Sequence, residues 1–331
     1  MKFIIFLLQK QGYLKVNPFP FYENRRGART LEKEYLKSTS KNYNKGGLDT
    51  VGLTCKTDVD IEEIKVLNGV IEKYTYLIGV EEVLITIKAS SVLNGGIELT
   101  DLDETMEIVE DIALNFNIDF ETLSRVDFSV DLLETVKENK KKFILFLECL
   151  DLRRKGTGMF ETKKPVKQNK KTGNLKISTN RVQTTIYDCM DKPRLANTRI
   201  ENRIVNIRAK EIIKKRIRFE LKKYIKELHK LEELVPMVED FYINFLIEEY
   251  KESKGKHFRT FTGFIEWADK EKLILTERIL KEVLKASGIK TRFQIFVREF
   301  RRTRKESLIF TSKTELKKFI LLLKKELKKT I

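Results

Sequence analysis

Apolar and polar residues alternate along several short segments of the chain, which is the pattern of a β-strand with one buried face. In one segment Val126, Phe128 and Val130 alternate with charged and hydroxyl residues, so they share a face of the predicted strand. Such patterns predict strands at residues 48–56, 83–88, 125–131, 181–188 and 216–222. Two basic stretches without such a pattern, residues 153–176 and 192–210, are predicted to be connections.

Helical periodicity separates these strands and dominates the last third of the chain. Thr100 followed by early acidic residues is typical of a helix N-terminus, and that helix is expected to end near Asn115. The predicted helices are residues 61–73, 100–115, 135–150, 224–233, 236–251, 261–268, 276–287, 291–301 and 313–330. The chain is therefore expected to have an α+β fold with a mainly antiparallel sheet and flanking helices, followed by a helical C-terminal domain.

Changes in composition and in the pattern of apolar residues along the chain predict three regions. Residues 1–47 are rich in Lys, Asn and Gly, and are expected to form a basic N-terminal extension. Residues 48–225 hold the predicted strands and form the expected α+β domain. Residues 226–331 form the expected helical domain.

The charge of the chain is strongly positive. Its 331 residues include 66 Lys and Arg against 49 Asp and Glu, a formal net charge of +17. Such a field favours a polyanionic partner, either nucleic acid or an anionic membrane surface, although a general lysine-rich composition would give the same excess.

Cysteine usage and hydropathy indicate the cellular compartment in which the protein is expected. The three cysteines Cys55, Cys149 and Cys189 lie far apart, which argues against a disulfide framework or a thiolate zinc site and suits a reducing cytoplasm. The apolar run Phe3–Leu8 is too short for a membrane span. We therefore expect a cytoplasmic protein with no membrane partner.

Acidic residues on the polar faces of two predicted strands suggest a metal site. Asp127 and Asp131 lie about 13 Å apart on one strand, too far to share an ion. If the polar faces of two strands coincide, Asp127 and Glu220 would hold a divalent cation such as Mg²⁺ or Mn²⁺. The alternative is a solvated face on which Arg125 and Arg218 pair with these acids.

Tyr187 is the candidate nucleophile. It lies on the polar face of its predicted strand, after a basic loop that contains Lys170 and Lys171, and is placed to meet a phosphodiester. The alternative is a half-buried tyrosine with a structural role. The two histidines, His229 and His257, form no metal-binding pair, and no Walker A motif is present.

The C-terminal region contains a candidate helix-turn-helix. A helix over 276–287 ends at a Ser-Gly turn and precedes a second helix rich in arginine. A recognition helix of this kind would contact DNA in the major groove. The alternative is an ordinary helical domain with a basic face, since this spacing is common in any helical hairpin. The candidate contacts on the second helix are Arg292, Arg298, Arg301 and Arg302.

The order of five short motifs resembles the replication initiators of plasmids and single-stranded DNA phages, in particular the filamentous-phage type and its clostridial and bacillar relatives. The motifs are Leu48-Asp-Thr-Val, Lys88-Ala-Ser-Ser-Val-Leu-Asn-Gly-Gly-Ile-Glu-Leu-Thr, Leu123-Ser-Arg-Val-Asp-Phe, Thr185-Ile-Tyr-Asp and Ile217-Arg-Phe-Glu-Leu. The resemblance spans roughly residues 48–225.

The resemblance implies rolling-circle replication. Tyr187 would attack a phosphodiester at an origin, as a single strand or hairpin, and the host replication machinery would extend the freed 3′ hydroxyl. Arg125 and Asp127 match one strand motif, and Arg218 and Glu220 match a later one. Under this reading Arg125, Arg218, Lys170 and Lys171 are further candidate DNA contacts. Many such enzymes hold their metal with a histidine pair, which this chain lacks. Either carboxylates replace that pair, or the nicking activity is lost and the protein is a non-enzymatic DNA-binding regulator. A separate alternative is that Tyr187 is the structural tyrosine next to the nucleophile position and not the nucleophile itself.

Overall fold

A computed structural model of the chain describes its secondary structure over most of residues 44–331. The described residues are 44–56, 71–77, 82–90, 99–156, 174–189, 196–209, 212–252, 264, 267–268, 275–287 and 313–331. They divide into two compact units, of which the first runs to Thr135 and includes Asn180–Ile225 and Leu323–Ile331. The second unit comprises Val136–Thr179 and Lys226–Leu322.

The described residues form an α+β fold, and six of their strands make one sheet in the first unit. The strands are β1 (Lys45–Lys56), β2 (Ile71–Leu77), β3 (Glu82–Ile87), β4 (Thr122–Leu132), β5 (Leu175–Ser178), β6 (Val182–Asp188) and β7 (Thr198–Ala209). In the first unit the strand order is β2-β3-β1-β4-β7-β6, and the five pairings that join these strands are antiparallel. The predicted α+β class with a mainly antiparallel sheet is confirmed.

Helices lie between the strands in the sequence and also follow the last strand. They are α1 (Leu102–Asn115), α2 (Val136–Lys155), α3 (Ile213–His229), α4 (Val235–Glu252), α5 (Glu277–Ala286) and α6 (Lys313–Lys328). Helix α1 begins with a capping box, in which the Asp101 carboxylate accepts from the backbone N–H of Glu104 at 2.8 Å. Among the described helices, none combines the length and the apolar content that a bilayer crossing requires.

The first unit packs its own C-terminal residues against β1. At Gly46 an added Cβ would lie 2.5 Å from the backbone carbonyl of Glu326, and at Gly47 it would lie 2.5 Å from the carbonyl oxygen of Thr100. The backbone N–H of Leu102 also donates to the carbonyl of Thr330 at 3.0 Å. Glycine is therefore required where these two backbone segments approach β1.

The second unit has an aromatic core of its own. The ring of Phe319 on α6 lies 5.5 Å from Phe143 and 5.4 Å from Phe146, both on α2. A buried polar contact joins α2 to α4, where the Tyr242 phenol donates to Glu148 at 3.0 Å. These contacts hold α2, α4 and α6 together.

The strand predicted over residues 216–222 is wrong, because these residues lie within helix α3. Ile217, Leu221, Tyr224 and Leu228 are buried at helical spacing, whereas Phe219 is 54% exposed. A strand would have placed Phe219 on the same face as Ile217 and Leu221. The alternation of seven residues was therefore part of a longer helical period.

The connection predicted over residues 192–210 is also wrong, since most of it forms β7 between β4 and β6. Ile200 and Ile204 are buried on one face of this strand, and Arg199 is fully buried on the other. The predicted helix over residues 61–73 fails at its end, where β2 begins at Ile71. Its earlier part lies outside the described residues.

Candidate functional site

Polar residues of β4, β7 and β6 are aligned in three rows across the first unit's sheet. Directly paired residues share a face of a sheet, so the members of each row lie side by side. The rows, taken from β4 through β7 to β6, are Asp127, Arg203 and Gln183; Ser129, Glu201 and Thr185; and Asp131, Arg199 and Tyr187. We refer to these nine residues as the polar sheet face. The prediction that Asp127 and Tyr187 occupy polar strand faces is confirmed, and the two faces are the same.

Arg199 is the buried centre of this face. Its Nε and Nη2 atoms donate to the two carboxylate oxygens of Asp131 at 2.6 and 2.8 Å, and Nη1 donates to Asp49 Oδ1 at 2.6 Å. Asp49 lies on β1 where the register with β4 shifts, and it also accepts from Ser90 at 3.0 Å. One guanidinium thus bridges two buried carboxylates.

The charges of this buried group stabilise one another. Burial alone would raise the pKa of Asp49, but the positive charges of Arg199 and Lys88 hold it below its usual value. Burial likewise opposes the charge of Arg199, yet Asp131 and Asp49 raise its pKa well above the ordinary value. The pKa shifts of Asp49 and Arg199 therefore both favour the charged forms at neutral pH.

A second arginine connects Asp127 with Glu201. Arg203 Nε donates to Asp127 Oδ2 at 3.2 Å, and its Nη2 donates to Glu201 Oε1 at 3.1 Å. Asp127 is fully buried and also accepts from Arg125 Nε at 3.0 Å, while the Arg203 side chain is 32% exposed. Arg203 is therefore a partly exposed cation directly beside two acids of the face.

Tyr187 donates its phenolic hydrogen to Glu201 Oε2 at 3.2 Å. Burial raises the pKa of this phenol well above its usual value; the charge of Arg199 opposes the rise, and that of Glu201 adds to it. Tyr187 is thus a neutral donor at rest, and Glu201 is the group placed to accept its proton. The strand that carries Glu201 and Arg199 was not predicted, so these two residues were missed.

Glu220 was predicted to lie on the polar face of a strand and to share a metal with Asp127, but it is part of a helix. It lies on helix α3 and accepts from Arg181 at 3.0 Å and from Arg216 at 2.7 Å. Asp127 likewise accepts from two arginines, so each of these two carboxylates is paired with guanidinium groups in this arrangement. Among the described residues, no three His, Cys, Asp or Glu side chains are grouped to hold a metal. A requirement for Mg²⁺ or Mn²⁺ stays a prediction.

Two of the predicted DNA-contacting residues, Arg125 and Arg218, lie in the part of the chain that the structure describes, and the others lie outside the described residues. Arg125 binds Asp127, as the alternative with a paired acid predicted, whereas Arg218 lies half-buried on α3. The predicted helix over residues 276–287 is confirmed as α5, and the helix-turn-helix itself stays a prediction. The predicted second helix lies outside the described residues, as do Lys170, Lys171, Arg292, Arg298, Arg301 and Arg302.

Comparison with known proteins assigns no family to the chain. No protein-family model matches it, and a search of the curated proteins finds no match. The resemblance to replication initiators therefore stays a prediction drawn from the order of the motifs.

The titration of Asp127 is expected to make stability depend on pH. Burial raises the pKa of Asp127 to about 6, although Arg125 and Arg203 oppose the rise. A carboxyl group with a raised pKa binds its proton more tightly when folded, so its contribution is complete below about pH 4 and is lost as the pH rises through about 6. In Asp127→Asn this loss is absent.

Urea denaturation between about pH 4 and pH 7 measures this effect. The stability of the wild type relative to Asp127→Asn should fall between about pH 4 and pH 6, and should then level off. Two curves that run parallel over this interval would contradict the expected titration.

Proposed function

We propose that this chain is a DNA-binding replication initiation protein that nicks one strand of an origin through Tyr187. The observation that carries the proposal is the hydrogen bond from the Tyr187 phenol to Glu201, on a face that also holds Asp127 and two arginines. A nucleophile bonded to a general base is the arrangement that covalent catalysis requires. The net charge of +17 supports a polyanionic substrate.

In the proposed step the phenol oxygen attacks a backbone phosphorus while its proton passes to Glu201. A bond forms between phosphorus and the tyrosine oxygen, and the bond between phosphorus and the preceding 3′ oxygen breaks. That oxygen takes a proton from water and leaves as a 3′ hydroxyl. Because burial raises the pKa of the phenol, proton transfer to Glu201 accompanies attack rather than preceding it.

The arginines have separate roles in this proposal. Arg203 is partly exposed and contacts Glu201. Once Glu201 has taken the proton from Tyr187, Arg203 is placed to neutralise negative charge on the phosphate. Arg199 is fully buried and holds Asp131 and Asp49. We assign Arg199 to positioning the strand that carries Glu201.

Origin DNA, as a single strand or hairpin, and the host replication machinery are the partners under this proposal, and the cytoplasm is its location. A polymerase would extend the 3′ hydroxyl that the step produces. The protein would remain linked to the 5′ phosphate until the strand is rejoined.

A non-enzymatic DNA-binding regulator is the second candidate. It is favoured by the arginine contacts of Asp127 and Glu201, since carboxylates that each hold a guanidinium also serve simply to stabilise a buried sheet face. Under this alternative Tyr187 is a structural residue whose hydroxyl group supplies a hydrogen bond to the Glu201 carboxylate.

An adduct assay separates the two candidates. Single-stranded oligonucleotides that tile the DNA flanking the coding sequence, labelled at their 3′ ends, are incubated with the protein with Mg²⁺, with Mn²⁺ or with EDTA. Nicking transfers the label to the protein, because the 3′ fragment keeps the linked 5′ phosphate. Peptide mapping should place the adduct on Tyr187. Sequence-specific binding without an adduct would support the regulator instead.

Glu201→Gln is expected to slow adduct formation by about 10²- to 10⁴-fold at saturating DNA, because glutamine retains the size of the side chain but cannot take the proton. The single-turnover rate of labelling measures the effect. Glu121→Gln, a change of the same kind at a partly exposed residue that pairs with Lys56, serves as the control. A Glu201→Gln rate close to that of the control would show that another group is the base.

A further inference from the structure

One face of helix α3 in the first unit is exposed, basic and aromatic. Lys215, Phe219, Lys222 and Lys223 are exposed at intervals that place them on one side of the helix, and Ile212 is exposed just before it. We refer to these five residues as the basic α3 face. The opposite side of the helix, which includes Ile217 and Leu221, is buried.

The ring of Phe219 has a defined position although it is exposed. The Arg216 guanidinium lies over the ring at 4.9 Å from its centroid. Arg216 also donates to the buried carboxylate of Glu220 at 2.7 Å, and Glu220 accepts from Arg181 as well. An exposed aromatic ring that is held by an anchored guanidinium loses little further freedom when a ligand stacks on it.

We propose that the basic α3 face binds single-stranded DNA, with one base stacked on Phe219 and backbone phosphates on Lys215, Lys222 and Lys223. The inference rests on the proposed function for the identity of its partner as DNA. Lysines around an aromatic platform complement a strand that offers phosphates and unpaired bases together. In a duplex the bases are stacked within the helix and do not meet such a ring.

The charge and the small apolar area of this face argue against a lipid surface. A helix that lies in a membrane interface buries a continuous apolar face between the lipid headgroups. Here the large apolar residues of the exposed side are Phe219 and Ile212, and a guanidinium covers one side of the Phe219 ring. Stacking on a base uses the part of the ring that remains accessible.

The test measures binding of the full chain to fluorescein-labelled (dT)20 by anisotropy at about 50 mM salt. Phe219→Ala is expected to weaken binding at least about fivefold, and Phe219→Trp to preserve it, because stacking on one base contributes about 1–3 kcal/mol. Leu114→Ala is the matched control, since Leu114 on α1 is also apolar and is 80% exposed. It should leave the affinity unchanged.

The lysines are tested through the salt dependence of the same binding. Lys222→Ala with Lys223→Ala should reduce the slope of log affinity against log salt by about 1.4, since each phosphate contact on a single strand contributes about 0.7. Lys325→Ala with Lys328→Ala removes the same charge from exposed positions of α6. This control pair should leave the slope unchanged.

Several results would overturn the inference. They are a wild type that does not bind (dT)20, equal affinities of Phe219→Ala and Leu114→Ala, and binding of phosphatidylserine vesicles that requires Phe219 while DNA binding does not. The proposed function is tested separately, by adduct formation in the wild type and in Leu114→Ala, neither of which alters the basic α3 face. Loss of (dT)20 affinity in Phe219→Ala together with an adduct in these two proteins supports both proposals, and an adduct in them without any effect of Phe219→Ala on (dT)20 affinity overturns this inference alone.

Discussion

Tyr187→Phe is expected to abolish the covalent adduct with single-stranded DNA and to leave DNA affinity nearly unchanged. The substitution removes the phenol oxygen, which is the nucleophile in the proposed step, and retains the ring. Affinity for DNA comes mainly from lysine and arginine contacts with phosphates, none of which is altered. Adduct formation is measured with the 3′-labelled oligonucleotides, and affinity by anisotropy.

The fold should tolerate this change. The hydrogen bond from Tyr187 to Glu201 is lost, at a cost of about 1 kcal/mol, but Glu201 keeps its contact with Arg203. Tyr224→Phe is the matched control, because Tyr224 is a buried tyrosine on α3. An adduct that persists in Tyr187→Phe and disappears in Tyr224→Phe would move the nucleophile to Tyr224.

The strand β4 shows what local sequence predicts well. Its alternation of Val126, Phe128 and Val130 with polar residues gave both the strand and the face on which Asp127 lies. A period of two residues is visible within a short window and does not depend on distant parts of the chain. The same holds for β6 and for the face of Tyr187.

Helix α3 was mistaken for a strand because two periods fit the same seven residues. Ile217, Phe219 and Leu221 alternate, but Ile217 and Leu221 also lie four residues apart, as on a helix. Tyr224 and Leu228 continue the helical spacing and are buried with them. A window extended to Leu228 would have favoured the helix, and would have removed Glu220 from the predicted metal pair.

The strand β7 was missed because its burial depends on distant residues. Arg199 binds Asp131, 68 positions earlier in the chain, and Asp49, 150 positions earlier. Charged residues are almost never fully buried unless they are paired, so a segment rich in them reads as a connection until its partners are known. The part of the candidate site carried by β7 could therefore not be predicted from local pattern.

Arg199→Met is expected to destabilise the protein by about 3–5 kcal/mol, because it leaves Asp49 and Asp131 buried without their counter-ion. Arg278→Met is the matched control. Arg278 also contacts two acids, Glu239 and Asp240, but its side chain is 45% exposed, so its loss should cost less than about 1 kcal/mol. Chemical denaturation of both variants at neutral pH measures the difference.

A triple variant distinguishes the loss of a counter-ion from a simple packing defect. Adding Asp49→Asn and Asp131→Asn to Arg199→Met removes the two uncompensated charges, so the triple variant should be more stable than Arg199→Met alone. If the loss of stability came from a cavity left by the Arg199 side chain, the two added asparagines would not recover any stability. If Arg199→Met is as stable as Arg278→Met, the ion pairs of Arg199 with Asp49 and Asp131 are not what holds β7 between β4 and β6.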